Sequence, residues 1–233
     1  MYDSAVAAHS HASSTHSALS ARRRFLGRLG LGSAALGAFF GSVLPARAQT
    51  APAAPRRHET DDWMDQLPTA HRMIFDAVTA QGLGDVRRYA NNVFFANRTG
   101  YGLESRDIGI ILILRHHATP CAFNDAMWAK YGSAFAPELK LVDEKTQKAP
   151  TVNPANASGE TLDSLSGQGA HFGVCAMATR RYAGMAARAT GGTVDAVFDE
   201  LSKNLVRNAH LTPAGIVALG RAQERGFMFG YAA

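Results

Sequence analysis

The chain of 233 residues holds two cysteines, and each stands beside other groups able to do chemistry. Cys175 lies in HFGVCAMATRR, residues 171–181, between an apolar run and the pair Arg180 and Arg181. Cys121 closes RHHATPC, residues 115–121, behind the adjacent pair His116 and His117. A cysteine at a strand-to-helix turn sits near unpaired backbone amides and the positive end of the helix dipole, and both favour the thiolate. An arginine folding back from the next turn of helix would add to that field. Free cysteine is also among the most buried residue types. Cys175 is therefore open to two readings, a nucleophile and a packed side chain. Cys121 admits three: a small packing residue, a disulfide partner if its Cα lies within about 7 Å of that of Cys175, or part of a metal site with Cys175 and one histidine. No CxxC, HxxxH or HExxH spacing is present, so no metal is expected. Asn124 and Asp125, just beyond Cys121, are further candidates to line a pocket there, whereas Trp128 reads as packing.

These residues need a scaffold that brings strand ends together. HRMIFDAV, residues 71–78, alternates in the manner of a strand. Val86, Tyr89, Ala90, Val93, Phe94 and Asn97 have the spacing of an amphipathic helix over residues 83–99. RDIGIILILRHH, residues 106–117, is a continuous aliphatic strand of the kind found in a parallel sheet covered on both faces. If that strand continues through His116 and His117, their side chains point to opposite sides, so one faces the site. Thr119 and Pro120 are expected to cap a helix over residues 119–131, with Gly132 as its stop. Residues 133–159 are irregular, with a short strand in LKLVDEK and a short helix following over residues 160–169. AHFGVCAM, residues 170–177, is the next buried strand, running into a helix. Thr193 caps a helix over residues 193–205. A strand ending at Leu211, a helix started by Thr212 and Pro213 and stopped by Gly226, and a last strand in FMFGY close the chain. His71, His171 and His210 read as strand residues.

The resulting βαβαβαβαβ order predicts one three-layer α/β domain with a mostly parallel five-stranded sheet. Ligands on such sheets bind at the carboxyl ends of the strands. RHHATPC and GVCAMATRR both fall on that edge. Phosphate-binding and nucleophile-elbow templates are missing: there is no G-x-G-x-x-G after a strand, no Walker loop and no G-x-S-x-G. No cofactor is expected.

The formal net charge of +5 invites a nucleic-acid reading. Residues 1–48, however, contain five arginines and one aspartate, and the rest is left with 19 basic against 18 acidic residues. The body of the protein therefore offers no global field for phosphate backbones, and no nucleic-acid partner is expected. Arg22, Arg23, Phe25 and Leu26 resemble a twin-arginine export signal. An apolar stretch over residues 29–44 follows, with Ala46 and Ala48 in an A-x-A cleavage pattern before Gln49. The expected organisation is a signal over 1–48, a flexible Pro/Ala-rich and charged lead over 49–69, and a domain over 70–233. The twin-arginine machinery is then a partner and the periplasm the destination. That compartment permits disulfides.

Three stretches resemble the DsrE/DsrF-like family, whose members are linked to sulfur oxidation and sulfur relay. They are IILILRHHATPCAFNDAMWAKYG, GAHFGVCAMATRR and AHLTPAGIVALGRAQERGFMFGY. The resemblance covers about residue 70 to 233 and implies a DsrE/flavodoxin-like fold that often assembles as a homo-oligomer. It places the persulfide-carrying cysteine of sulfur-relay members on Cys175 and gives Cys121 no counterpart. The implied function is periplasmic sulfur handling, with a sulfur donor or acceptor protein or a small thiol as partner. Two alternatives stand beside it. One is a non-enzymatic oligomeric binding protein in which Cys175 is packed. The other is a thiol-disulfide redox protein that uses Cys121 and Cys175.

Overall fold

Seven consecutive apolar residues, Ile108–Leu114, form strand β2, and all seven are buried. Such a strand needs cover on both faces, and each of its fully buried side chains contributes about 1.5–3 kcal/mol relative to exposure. The computed structural model describes residues 57–231 except 69 and 158. The expected signal over residues 1–48 and the first part of the lead lie outside them. Around β2 stand β1 (His71–Ala77), β3 (His171–Cys175), β4 (Ala209–Thr212) and β5 (Met228–Gly230). They form a five-stranded sheet in the order β4-β3-β2-β1-β5, with every pairing parallel. The architecture is the three-layer α/β sandwich that the strand and helix alternation predicts.

Helix α1 (Ala80–Tyr101) covers one face, where Leu83, Val86, Ala90 and Phe94 meet Ile110, Leu112 and Leu114. The alternate β2 residues Ile111 and Ile113 face the other way. They meet Ala218, Leu219 and Ala222 of α6 (Gly215–Glu224). Between these come α2 (Asp125–Leu139), α3 (Leu162–Gly167), α4 (Ala176–Thr190) and α5 (Val194–Lys203). Phe135 of α2, Tyr182 of α4 and Leu201 of α5 share a further apolar cluster. The segment after α5 returns Leu205 and Val206 to the α1 face, whereas α6 occupies the opposite face. The connections leaving the neighbouring strands β3 and β4 thus part to opposite sides of the sheet. A crevice at the carboxyl ends of such strands is the usual ligand position in open α/β sheets.

Several boundaries differ from the expectation. β2 stops at Leu114, and residues His116–Ala122 wind into a 3-10 helix containing Thr119 and Pro120. Thr119 caps nothing: its hydroxyl donates to the Leu114 carbonyl at 3.3 Å. The helix begins one turn later, with the Asn124 side chain accepting from the Met127 amide. It runs through Gly132, whose lack of a side chain serves close packing; a Cβ there would strike the Pro150 carbonyl oxygen. LKLVDEK forms no strand, because α2 consumes its start and turns its remainder. Thr212 remains in β4, donating to the Val174 carbonyl at 3.2 Å, and α6 starts behind Ala214. Gly226, with φ +83°, ends α6 as expected.

The lead also departs from expectation. Glu59–Gln66 form a 3-10 helix that buries Trp63 and Met64, with Leu67 buried just beyond. The Arg72 guanidinium ties this segment to β1 by donating to the Leu67 and Pro68 carbonyls, both at 2.7 Å. Trp63 lies flat on His210, with ring centroids 4.2 Å apart and planes 6° apart. His171 and His210, on neighbouring strands, are themselves nearly coplanar and meet Nδ1 to Nε2 at 2.9 Å. Composition alone marks residues 49–69 as linker. The apolar triplet Trp63, Met64 and Leu67 is what folds its second half back.

Candidate functional site

Cys175 ends β3 and is the N-cap residue of α4. Its side chain makes no cap hydrogen bond, so the sulfur is not spent on the first turn of the helix. The residue is 8% exposed, and its strand pair is Thr212, the last residue of β4. It therefore stands where the β3 and β4 connections part. Gly173, two residues earlier, faces Ile113 and Thr212, and strand alternation puts Cys175 on the same, α6-covered face. A second helix N-terminus adjoins it. α6 starts without a side-chain cap, and a Cβ on its first residue, Gly215, would lie 2.7 Å from the Cβ of Arg115.

Arg115 is the cation of this site. It follows β2 directly, one residue beyond the Leu114–Val174 pair. Asp76 of β1 holds it in a bidentate pair, Nε to Oδ1 at 2.8 Å and Nη2 to Oδ2 at 2.7 Å. The Asp76 hydrogen bond, opposed by burial and aided by the nearby Cys175 sulfur, raises the Arg115 pKa above its ordinary value. Three adjacent strand ends thus contribute a carboxylate, a guanidinium fixed by it, and a thiol. A planar guanidinium locked in one orientation can stabilise a thiolate, a persulfide anion or a small oxyanion at no cost in reorganisation.

Arg180 and Arg181 are not part of this arrangement. Arg180 pairs with Asp195 at 2.5 Å and lies over the Phe198 ring, while Arg181 pairs with Glu138 of α2. Both are on the flank of α4 that meets its neighbouring helices. Asn124 and Asp125 also serve the scaffold. Asn124 caps α2 and reaches Asn204, and Asp125 accepts the Asn153 amide at 2.8 Å. Asn153, fully buried, in turn donates to the Cys121 and Phe123 carbonyls.

Cys121 lies on the opposite face of the sheet from Cys175, within the α1-side core, and both are free thiols. The disulfide and shared-metal readings of Cys121 fail for this reason, which leaves it as a packing residue. Burial pushes the Cys121 thiol up to about 12, with Arg87 opposing the shift, so the group remains a thiol near neutral pH. Among the described residues no cluster of three or more His, Cys, Asp or Glu side chains could hold a metal ion. His116 and His117 do not point apart, because the strand has ended before them. His116 turns at φ +53°, and the two rings meet edge to face at 3.9 Å. Desolvation, followed by His117, Arg181 and Arg115, lowers the His116 pKa, against the pull of Glu138. The His117 Nδ1 lies 3.3 Å from the Tyr182 hydroxyl and 3.8 Å from Glu138. His117 and Cys121 both line a cavity of about 700 Å³ on the α1 side.

The candidate residues thus divide into Cys175 at the strand ends, a separate Cys121 cavity and two scaffold pairs. Asp76 and Arg115 were not singled out in the sequence. The available signal is a charged residue at the carboxyl end of two neighbouring strands, Asp76 within β1 and Arg115 directly after β2.

No protein-family model matches the chain, and no curated protein matches it. Among solved structures, a protein of unknown function from Methanobacterium thermoautotrophicum is similar at 14% identity with a TM-score of 0.37. That similarity covers 70% of this chain and 99% of the other.

Proposed function

We propose that the protein is a sulfur carrier that uses Cys175, in keeping with its resemblance to DsrE/DsrF-like proteins. The observation that carries this reading is the uncapped position of Cys175 at the carboxyl ends of β3 and β4, near an Arg115 fixed by Asp76. The Cys175 thiolate attacks the outer sulfur of thiosulfate or of an organic persulfide. A new S–S bond forms as the donor's S–S bond breaks, and the released electron pair leaves on sulfite or on the donor thiolate. Atoms and charge balance without an outside oxidant. In the return step an acceptor thiolate takes the terminal sulfur, and Cys175 departs as the thiolate. The first-turn amides of α4 and the Arg115 guanidinium favour the anionic sulfur at each stage. The reading includes export by the twin-arginine pathway to the periplasm, a homo-oligomeric state, and a donor or acceptor that is a protein or a small thiol.

Intact mass spectrometry tests the carrier step. After incubation with thiosulfate or glutathione persulfide, the wild type and Cys121→Ser gain the mass of one sulfur atom, and reductant removes it. Cys175→Ser gains none. Loading of Cys175→Ser to the wild-type level, or no loading of the wild type, refutes the proposal. The same spectrum of exported protein reads whether cleavage falls before Gln49.

A further inference from the structure

The α1-side cavity is distinct from the Cys175 site, since the two lie on opposite faces of the sheet. It holds about 700 Å³, within the range of small-molecule sites. Ala80, Leu83 and Arg87 of α1 line one wall at helical spacing, and Leu139, Leu141 and Ala155 complete an apolar lining. Its charged lining groups are Arg87, Lys140 and Glu138, and His117 also borders it. Glu138 is already engaged by Arg181. Lys140 is exposed at the end of α2.

Arg87 is the exceptional residue. It donates from Nη1 to the Ala155 carbonyl; its Nε is closed off from solvent, whereas its Nη2 is not and has no hydrogen-bond partner among the described residues. Among the described residues no carboxylate forms an ion pair with it. A half-buried guanidinium with an unsatisfied donor is costly unless something anionic completes it. The first turn of the 22-residue α1 adds the positive end of its dipole, since Ala80 and Gln81 also border the cavity.

We infer that this cavity binds a small organic monocarboxylate, with its carboxylate on Arg87 and its apolar body against Leu83, Leu139 and Leu141. With Nη1 already given to Ala155, Nη2 is the donor left for a carboxylate oxygen, and the charge on the guanidinium strengthens that bond. The leucine walls ask for an aliphatic or aromatic body. Glu138 at the same cavity disfavours a more highly charged head such as a phosphate monoester.

The test is titration calorimetry of the purified protein with octanoate, octanol and octyl phosphate. Octanoate is expected to bind at least tenfold more tightly than either of the others. Arg87→Leu should lose at least tenfold in octanoate affinity, and Arg87→Lys should retain an intermediate affinity. Leu141→Trp, a partly exposed rim position, should block the cavity and abolish binding while leaving the fold intact. Absence of octanoate binding to the wild type overturns the inference, as does equal binding of octanol or tighter binding of octyl phosphate. Undiminished binding by folded Arg87→Leu or by Leu141→Trp also overturns it. If Arg87→Leu does not fold, the head-group comparison on the wild type and the Leu141→Trp result still decide the matter. Sulfur loading at Cys175 is not involved, so either proposal can fail alone.

Discussion

Acidification should loosen the contact between the N-terminal segment and the sheet, and His210 sets the size of the effect. Its ring lies flat against Trp63 and meets His171 at 2.9 Å. Burial, and then the neighbouring His171, lower its pKa from 6.5 to about 4. Burial lowers that of His171 as well. An imidazolium over the indole face would gain a cation–π attraction of about 1–2 kcal/mol. That attraction opposes the desolvation and the second histidine that lower the pKa.

The direction follows from proton counting. Between pH 6.5 and about 4 the unfolded chain carries a proton on His210 that the native protein excludes. Stability therefore rises with pH across this window and is lost as pH falls through it. A full shift of that size would correspond to about 3 kcal/mol. His210 retains partial solvent contact, and screening reduces the expected loss to roughly 1–2 kcal/mol. For a folded domain of this size that is a fall in Tm of about 2–8 °C. The assay is thermal unfolding at a series of pH values, comparing wild type with His210→Phe. Phenylalanine keeps a ring under Trp63 and removes the titration. The difference in Tm between the two proteins should change across the window, with the wild type losing more on acidification. A difference that stays constant from pH 6.5 to about 4 would refute the reasoning.

Two further outcomes test the frame around the strand ends. Asp76→Asn should destabilise the protein by about 1–3 kcal/mol in urea titrations, because it leaves a partly buried Arg115 without its carboxylate; Asp76→Asn combined with Arg115→Met should recover part of that loss. Gly132→Ala should cost at least about 1–3 kcal/mol by the same measurement, because the new Cβ meets the backbone carbonyl of Pro150 and not a side chain that can swing aside.

Periodicity was enough to read the sheet. The all-apolar β2, buried over its full length, could only be central and covered on both faces. The turn from Val174 through Cys175 into α4 was legible for the same reason, since the pattern changes period at that point. The lead was misjudged because a 3-10 helix of eight residues has no periodicity that separates it from linker. Its anchoring depends on partners far along the chain, His210 above all.

The grouping of Cys121, His116 and His117 with Cys175 failed at one particular step. Placing side chains on a common edge requires each strand to continue in register up to the residue in question. β2 holds register with β3 only to the Leu114–Val174 pair, and the chain then winds into a 3-10 turn beginning at the positive φ of His116. That turn carries Cys121 into the α1-side core. Arg115, the last residue before the turn, stays beside α6 on the Cys175 face. One residue therefore divides the segment RHHATPC between two faces of the sheet. The same turn shapes the Cys121 cavity, which explains how two unrelated sites can share seven residues of sequence. Chemistry in α/β sheets of this kind is assigned more safely from the residue that directly follows the last pair in strand register than from the nearest reactive side chain in sequence. Here that residue is Arg115, and its carboxylate partner lies in the neighbouring strand, 39 positions away.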